Sequence, residues 1–407
     1  MKTTLENNTL TLFLEGRVDT NNASAVEAEL FAAVNANPGA EIVVDVEKLE
    51  YISSAGLRVL MKLRKQAKKA LPVLNVSREV YEIFDTTGFT ELLDVRKALR
   101  QISIEGCEMI GAGASGKVYR IDGDTIVKVF DPQIGLERID NERKNAKTAF
   151  VNGIPTAITY DVVRVGNCYG TVYELIDSVQ LSKFLRDHQE QAQEYQVKYA
   201  MMMKRMHQIP MSEEFQDIKA LYRKWIGDLK PFFTQEETDA LNRLLDAIPD
   251  RDTFVHCDCH VGNVMVQNGE LVLIDMADVG RGHPIFDIGS EFFHYKISPS
   301  SPSRDFALKT LLGFTPETNE FTDGIWDTLA KTYFQPQNEQ EYRAITAIAF
   351  AAGLLRSTVT AAKHQQLPQE HKQLIVSGTK SALLPKIDEF ISLFQKMDAF
   401  FARCHIG

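Results

Sequence analysis

The sequence predicts an α/β domain over residues 1–100 followed by an α+β domain of two lobes, a small β-rich one over 101–177 and a large α-rich one over 178–407. Three observations carry this. The chain has 407 residues, more than the roughly 100–200 of one domain. Extended and helical patterns alternate from Thr9 to Ala70. A second run of strands begins at Gln101 and gives way to helical patterning after Ser178.

Taken in order, Thr9–Leu14 alternates as a strand, Ala23–Val34 is helical, Glu41–Val46 is β-rich and Gly56–Lys69 is helical, with Gly16 and Pro38-Gly39 as punctuation. Leu71-Pro72 leads into a short extended run, Val73–Val76, and this first domain is expected to end near Ala98. In the next block, Val118–Ile121 and Thr125–Phe130 flank Asp122-Gly123-Asp124, a hairpin signal. A helix over Leu136–Phe150 and strands over Ala157–Val165 and Cys168–Leu175 complete a small sheet. Beyond Ser178 the helical pattern is broken by the Gly-punctuated β-rich segment Phe254–Val279. The most apolar run, Ala344–Leu355, is shorter than the about 20 residues of a membrane span and is expected to be a buried core helix.

The composition, 44% hydrophobic and 25% charged, is that of a chain with ample material for buried cores. A net charge of -10 argues against nucleic acid as the main partner, since phosphate backbones are held by excess Lys and Arg. Cys107, Cys168, Cys257, Cys259 and Cys404 are odd in number and thinly spread, which predicts a reducing, cytoplasmic setting rather than a disulfide framework. The N-terminus lacks the apolar core of a secretory signal, so neither export nor a membrane is expected.

The chemistry-bearing motifs follow in chain order. Gly111-Ala112-Gly113-Ala114-Ser115-Gly116 fits G-x-G-x-x-G between two β-type segments, whereas a dinucleotide fingerprint runs from a strand into a long helix. In a protein-kinase-like fold such a loop arches over ATP phosphates, because glycines let backbone N–H groups approach the oxygens; the plain alternative is a tight turn. Lys128 stands on the alternating strand Thr125–Phe130, where a cation can pair the α- and β-phosphates if a carboxylate from the following helix holds it. Glu142 is the leading candidate and Glu137 its rival.

His256-Cys257-Asp258-Cys259-His260-Val261-Gly262-Asn263, followed by Leu271–Asp275, is the strongest signal. The Asp258-to-Asn263 spacing matches a kinase catalytic loop, with Asp258 placed to accept the proton of an incoming hydroxyl. Asn263 and Asp275 supply the oxygen ligands that Mg²⁺ prefers, and a hairpin turning at Gln267-Asn268-Gly269 would bring them to one mouth. The cluster His256, Cys257, Cys259 and His260 raises a zinc site as the alternative. No second Cys or His pair stands at zinc spacing, so buried thiols are the preferred reading.

His256-x-Asp258-x-His260-x-Gly262-Asn263 and Ile274-Asp275-x-x-Asp278-x-Gly280 resemble the aminoglycoside phosphotransferase and choline kinase superfamily, over roughly Gly106 to Cys404. The resemblance implies a protein-kinase-like fold, ATP and Mg²⁺ as cofactors, Asp258 as catalytic base, Asn263 and Asp275 as metal ligands, and Lys128 with Glu142 as the phosphate-holding pair. It implies ATP contacts from Gly111, Gly113, Ser115 and Gly116, and a hinge at Tyr173-Glu174-Leu175-Ile176 where Glu174 and Ile176 offer backbone groups to adenine. Asp287 matches a structural aspartate. Cys257 and Cys259 depart from the glycine and aliphatic residues usual there.

Asp45–Arg58, with Gly16-Arg17-Val18-Asp19, resembles the STAS domains of anti-sigma factor antagonists. That likeness implies Ser54 as a phosphorylation site that switches binding to an anti-sigma factor or another STAS-binding regulator. Either Ser53 or Ser54 is also placed to cap the helix that follows. Three functions follow: a kinase for a small-molecule hydroxyl under STAS control; a serine kinase acting on a STAS domain, its own Ser54 included; and a non-catalytic nucleotide-binding scaffold. The intact Lys128, Asp258, Asn263 and Asp275 count against the scaffold. Phe292, Phe293, Tyr295, Trp326, Tyr333 and Phe334 are the aromatics from which an acceptor site would draw, most of them being core.

Overall fold

The computed structural model describes residues 2–67, 70–113, 115–298, 319–364 and 367–404. The chain divides into two compact units, residues 1–103 with 162–168, and residues 104–161 with 169–407.

In the first unit, strands Thr3–Glu6, Thr9–Val18, Glu41–Ile52, Pro72–Val76 and Asp94–Lys97 form one sheet in that order. The first two run antiparallel and the later neighbours parallel. Period-two burial of Leu10, Leu12 and Leu14 on one strand, and of Ile42, Val44 and Val46 on the next, builds the core. Helix Ser54–Gln66 buries Leu57, Leu60 and Leu63 and begins at Ser53, whose hydroxyl accepts the N–H groups of Ala55 and Gly56 at 3.2 and 3.5 Å. The cap is therefore Ser53, while Ser54 is exposed at the first helical position. A Cβ on Gly56 would lie 2.7 Å from Ile52 Cγ1 and 2.8 Å from Val18 Cγ1, so this helix start meets the strand ends only with glycine there.

The strand begun at Glu41 continues past Val46 to Ile52, and helix Arg78–Thr86 and the edge strands Thr3–Glu6 and Asp94–Lys97 are additional to the sequence reading. The two edge strands are four residues long and bury no side chain, so they carry no apolar pattern to read.

In the second unit, Glu108–Gly113, Gly116–Arg120, Thr125–Phe130 and Cys168–Glu174 are successive antiparallel neighbours, followed in chain order after Phe130 by helix Leu136–Val151. The remaining chain is mainly helical around a core that includes Tyr199, Phe254, Tyr295, Trp326, Tyr333 and Phe394. Ala344–Leu355 lies within helix Glu339–Lys363, whose length and composition would suffice to cross a membrane, yet 67% of its apolar window is buried inside the unit. Helix Ile285–Phe292 packs on it so closely that a Cβ on Gly289 would stand 2.7 Å from Ala352 Cβ. The long helix also reaches the loop that follows strand Thr253–Val255, through Arg356 Nη2 and Asp258 Oδ1 at 3.5 Å.

Candidate active site

Lys128 projects from strand Thr125–Phe130, with Nζ 2.8 Å from Glu142 Oε1 and 3.4 Å from Asp275 Oδ1. Glu142 shares the inward face of helix Leu136–Val151 with Ile139, Asn145, Ala146 and Ala149, while Glu137 is exposed in its first turn. Burial alone would lower the Lys128 pKa, but Asp275 and Glu142 outweigh it and hold the ammonium charged. Two further residues complete the arrangement, Tyr173, read from the sequence only as part of the hinge, and Asn145, absent from that reading. Tyr173 donates its hydroxyl to Glu142 Oε1 at 3.1 Å, and Asn145 Nδ2 donates to the Met276 carbonyl at 2.9 Å, tying the glutamate helix to the segment just after Asp275. Asn145 follows Glu142 by one helical turn, a spacing visible in the sequence.

Gly113 and Gly116 face each other across the glycine hairpin. Gly116 is obligatory, because a Cβ there would fall 2.1 Å from the Val129 carbonyl oxygen, whereas the space beside Gly113 is open and Gly111 meets only ordinary contacts. The Ser115 carbonyl accepts from the Asp131 N–H at 3.2 Å; Ala114 lies outside the described residues. Glu174 exchanges bonds with Ile158, its N–H to that carbonyl and its carboxylate from that N–H. The Ile176 carbonyl accepts from Ser178 Oγ at 3.1 Å.

The loop after strand Thr253–Val255 is held from beneath. Asp287 accepts the N–H groups of His256 and Cys257 and is itself bound to His207 Nε2 at 2.9 Å, whose Nδ1 meets the Tyr333 hydroxyl at 2.7 Å. Tyr199 reaches the Cys259 carbonyl and the Glu291 carboxyl, and Tyr295 accepts the Val261 N–H at 3.0 Å. Burial first, and then Asp287 and Asp258, push the Glu291 pKa well above the usual range. A protonated Glu291 then donates to Tyr199, freeing that hydroxyl's proton for the Cys259 carbonyl. Cys257 adopts φ 65°, the left-handed region, at the position where the resembling family has glycine.

Asn263 and Asp275 flank the mouth of a hairpin in which Val264 pairs with Leu273; the turn residues Asn268 and Gly269 both have positive φ, as a two-residue hairpin turn requires. Asn263 Nδ2 donates to the Asp258 carbonyl at 2.9 Å, which leaves the Asn263 amide oxygen directed elsewhere. Asp275, at φ 61°, is exposed apart from its bond to Lys128.

Around the Asp258 carboxylate stand Arg356 Nη2 at 3.5 Å, His294 Nε2 at 3.7 Å and His260 Nε2 at 3.9 Å. Burial acts to raise its pKa, yet His260, Lys363, His294 and Arg356 together hold it well below the usual carboxylate range, so it is ionised. Asp258, His260 and His294 place their ligand atoms within 4.8 Å of one another. Yet His260 Nδ1 accepts the Gly262 N–H at 3.0 Å, so in the neutral ring the proton sits on Nε2, facing Asp258, where a metal would need a lone pair. The trio is a donor set around a carboxylate. His256 bonds instead to the Ile274 carbonyl at 3.2 Å, and Cys257 and Cys259 are buried thiols with raised pKa, burial being the first cause.

The family model described as phosphotransferase enzyme family matches residues 106–307, and that described as Mlab, STAS domain, matches residues 1–94. The chain carries a STAS domain followed by a domain of the phosphotransferase enzyme family. BtrV of Bordetella bronchiseptica, named as a candidate anti-sigma factor antagonist, is 38% identical over 85 residues, 20% of this chain and 72% of that protein. A choline/ethanolamine kinase family protein from Mesorhizobium loti is 14% identical with a TM-score of 0.46, covering 71% of this chain and 92% of its own. The streptomycin–ATP complex of the phosphotransferase APH(2″)-IIa is 13% identical with a TM-score of 0.43, over 78% and 99%. This STAS–phosphotransferase has the bilobal kinase-like fold and is an ATP-dependent phosphotransferase.

The aromatics singled out for an acceptor site lie mostly in the core of this phosphotransferase: Phe292, Tyr295, Trp326, Tyr333 and Phe334 are buried and Phe293 is half-buried. The aromatic side chains beside Cys257 and Arg356 are instead Tyr222 and Trp225, from helix Ile218–Asp228, which carried no motif.

Proposed function

We propose that the chain transfers the γ-phosphoryl group of ATP to the hydroxyl of a small-molecule acceptor, under control of its STAS domain. The observation that carries this is the convergence of Lys128, Glu142 and Asp275 through bonds of 2.8 and 3.4 Å, with Asp258 in the loop that Asn263 closes. Lys128, held by Glu142, which Tyr173 steadies in turn, grips the α- and β-phosphates. Asp258 orients the acceptor hydroxyl and takes its proton as the oxygen attacks phosphorus and ADP departs. The Asn263 amide oxygen and the Asp275 carboxylate are hard oxygen donors suited to Mg²⁺, which when bound would neutralise charge on the phosphates. Asp258 is the base, and the glycine hairpin around Gly111, Gly113, Ser115 and Gly116 covers the phosphates, with the Glu174 carbonyl and the Ile176 backbone meeting adenine. On the STAS domain, the exposed hydroxyl of Ser54 in the first helical turn stands where the positive end of the helix dipole would favour a phosphate.

The test follows labelled ATP and Mg²⁺ with the full chain, Ser54→Ala and Asp258→Ala. Acceptor-dependent ADP formation is expected to fall about 10²–10⁴-fold in Asp258→Ala, with ATP affinity within about twofold of the parent. Unchanged turnover in Asp258→Ala would remove the base assignment. Label on Ser54 that disappears with Asp258 would replace the small-molecule reading with phosphorylation of the chain's own STAS domain.

A further inference from the structure

A small cavity is lined by Tyr222, Trp225, Cys257, Asp278, Arg356 and Lys363, and through Arg356 it adjoins Asp258. Arg356 and Lys363 come from one face of helix Glu339–Lys363, and the tight crossing of that helix at Gly289 and Ala352 fixes their height. Arg356 is 6% exposed. Its Nη1 donates to Thr360 Oγ1 at 2.6 Å, and Nη2 reaches Asp258 Oδ1 at a long 3.5 Å. Lys363 is ion-paired with Asp278.

Resting on the phosphotransferase reading, we infer that the acceptor carries an oxyanion, a carboxylate or a phosphate, close to its reacting hydroxyl, and that Arg356, assisted by Lys363, binds it. The reason is a charge balance that changes during turnover. When Asp258 takes the acceptor's proton, the buried guanidinium loses its carboxylate neighbour, and a buried cation left without an anion is strongly disfavoured. An oxyanion on the acceptor restores the partner, and the planar guanidinium matches carboxylate and phosphate geometry. A cationic acceptor would instead be pressed against Arg356 and Lys363, with Asp278 as the single further acid in the wall and already engaged. The free space is about 10 Å³, room for one water, so an acceptor's charged group enters by taking the place of an existing ion-pair partner.

Equilibrium dialysis of the full chain with Mg²⁺ and a non-hydrolysable ATP analogue tests this, using radiolabelled D-glycerate, sn-glycerol 3-phosphate and choline as probes. Binding of one or both anions is expected, weakened about tenfold or more in Arg356→Met and in the less buried Lys363→Met, and partly recovered in Arg356→Lys. The glycerate and glycerol phosphate arms decide between carboxylate and phosphate. Preference for choline, anion binding indifferent to these substitutions, or binding of no probe overturns the inference. Steady-state ADP release separates the two levels: turnover of choline that requires Asp258 would end the oxyanion inference and leave the phosphotransferase reading standing. No Asp258-dependent turnover with any acceptor would end both.

Discussion

Glu137 and Glu142 stand on one helix, and only the second turns inward onto Lys128. Replacing Glu142 by Gln removes the charge that, with Asp275, keeps the buried ammonium protonated and aimed, so the KM for ATP is expected to rise about tenfold or more. Glu137→Gln is expected to leave it within about twofold. Equal effects of the two substitutions in a coupled ADP assay would sink the pairing. The meeting of Lys128 with Asp275 and of Asn263 with the Asp258 backbone was foreshadowed by the run of neighbouring motifs, since each residue lies in a short, recognisable segment. Arg356 was not, since it follows Asp258 by 98 residues and adjoins an apolar run that reads only as core. Tyr173 was quoted as part of a hinge, but the bond its hydroxyl makes to Glu142 depends on how a strand and a helix meet, which no local pattern encodes.

Among the elements, the loop that carries Asp258 is an irregular segment whose shape comes from what lies beneath it. Tyr199 links helix Ala192–Met206 to the Cys259 carbonyl and to Glu291 of helix Ile285–Phe292, all buried. Because the Glu291 carboxyl is held neutral, Glu291→Gln preserves a donor to Tyr199 and should shift unfolding free energy by less than about 1 kcal/mol. Tyr199→Phe leaves both the Cys259 carbonyl and Glu291 without that partner and should cost about 1–3 kcal/mol. Urea melts of the two variants distinguish the cases, and a large loss in Glu291→Gln would mean the carboxyl is ionised. The strands and helices that carry apolar periodicity, such as Thr9–Val18 and Leu136–Val151, were readable from the sequence. Their short polar neighbours were not, because an edge strand such as Thr3–Glu6 is defined by its backbone partner Thr9–Val18 rather than by its own side chains.

Over the whole molecule, the nine histidines all fall between His188 and His405, none of them in the STAS unit, so mild acid acts on the phosphotransferase unit. Burial, the largest cause in both cases, drives His283 down to about 4 and His294 down to about 3. In the unfolded chain both take up a proton near pH 6.5. Between those values the unfolded state therefore binds more protons than the folded one, and stability, fully present above pH 6.5, falls as the pH falls. Lowering the pH from 7.5 to 5 should cost the phosphotransferase unit roughly 2–4 kcal/mol from these two rings, while the STAS unit has no histidine to respond. Scanning calorimetry at both pH values should show one transition moving to lower temperature and the other holding nearly still over this range. His283→Gln should shrink the shift, because the substituted side chain has nothing to titrate. Transitions that move together, or a shift undiminished in His283→Gln, would mean that neutral, buried imidazoles are not what sets the acid sensitivity of this unit.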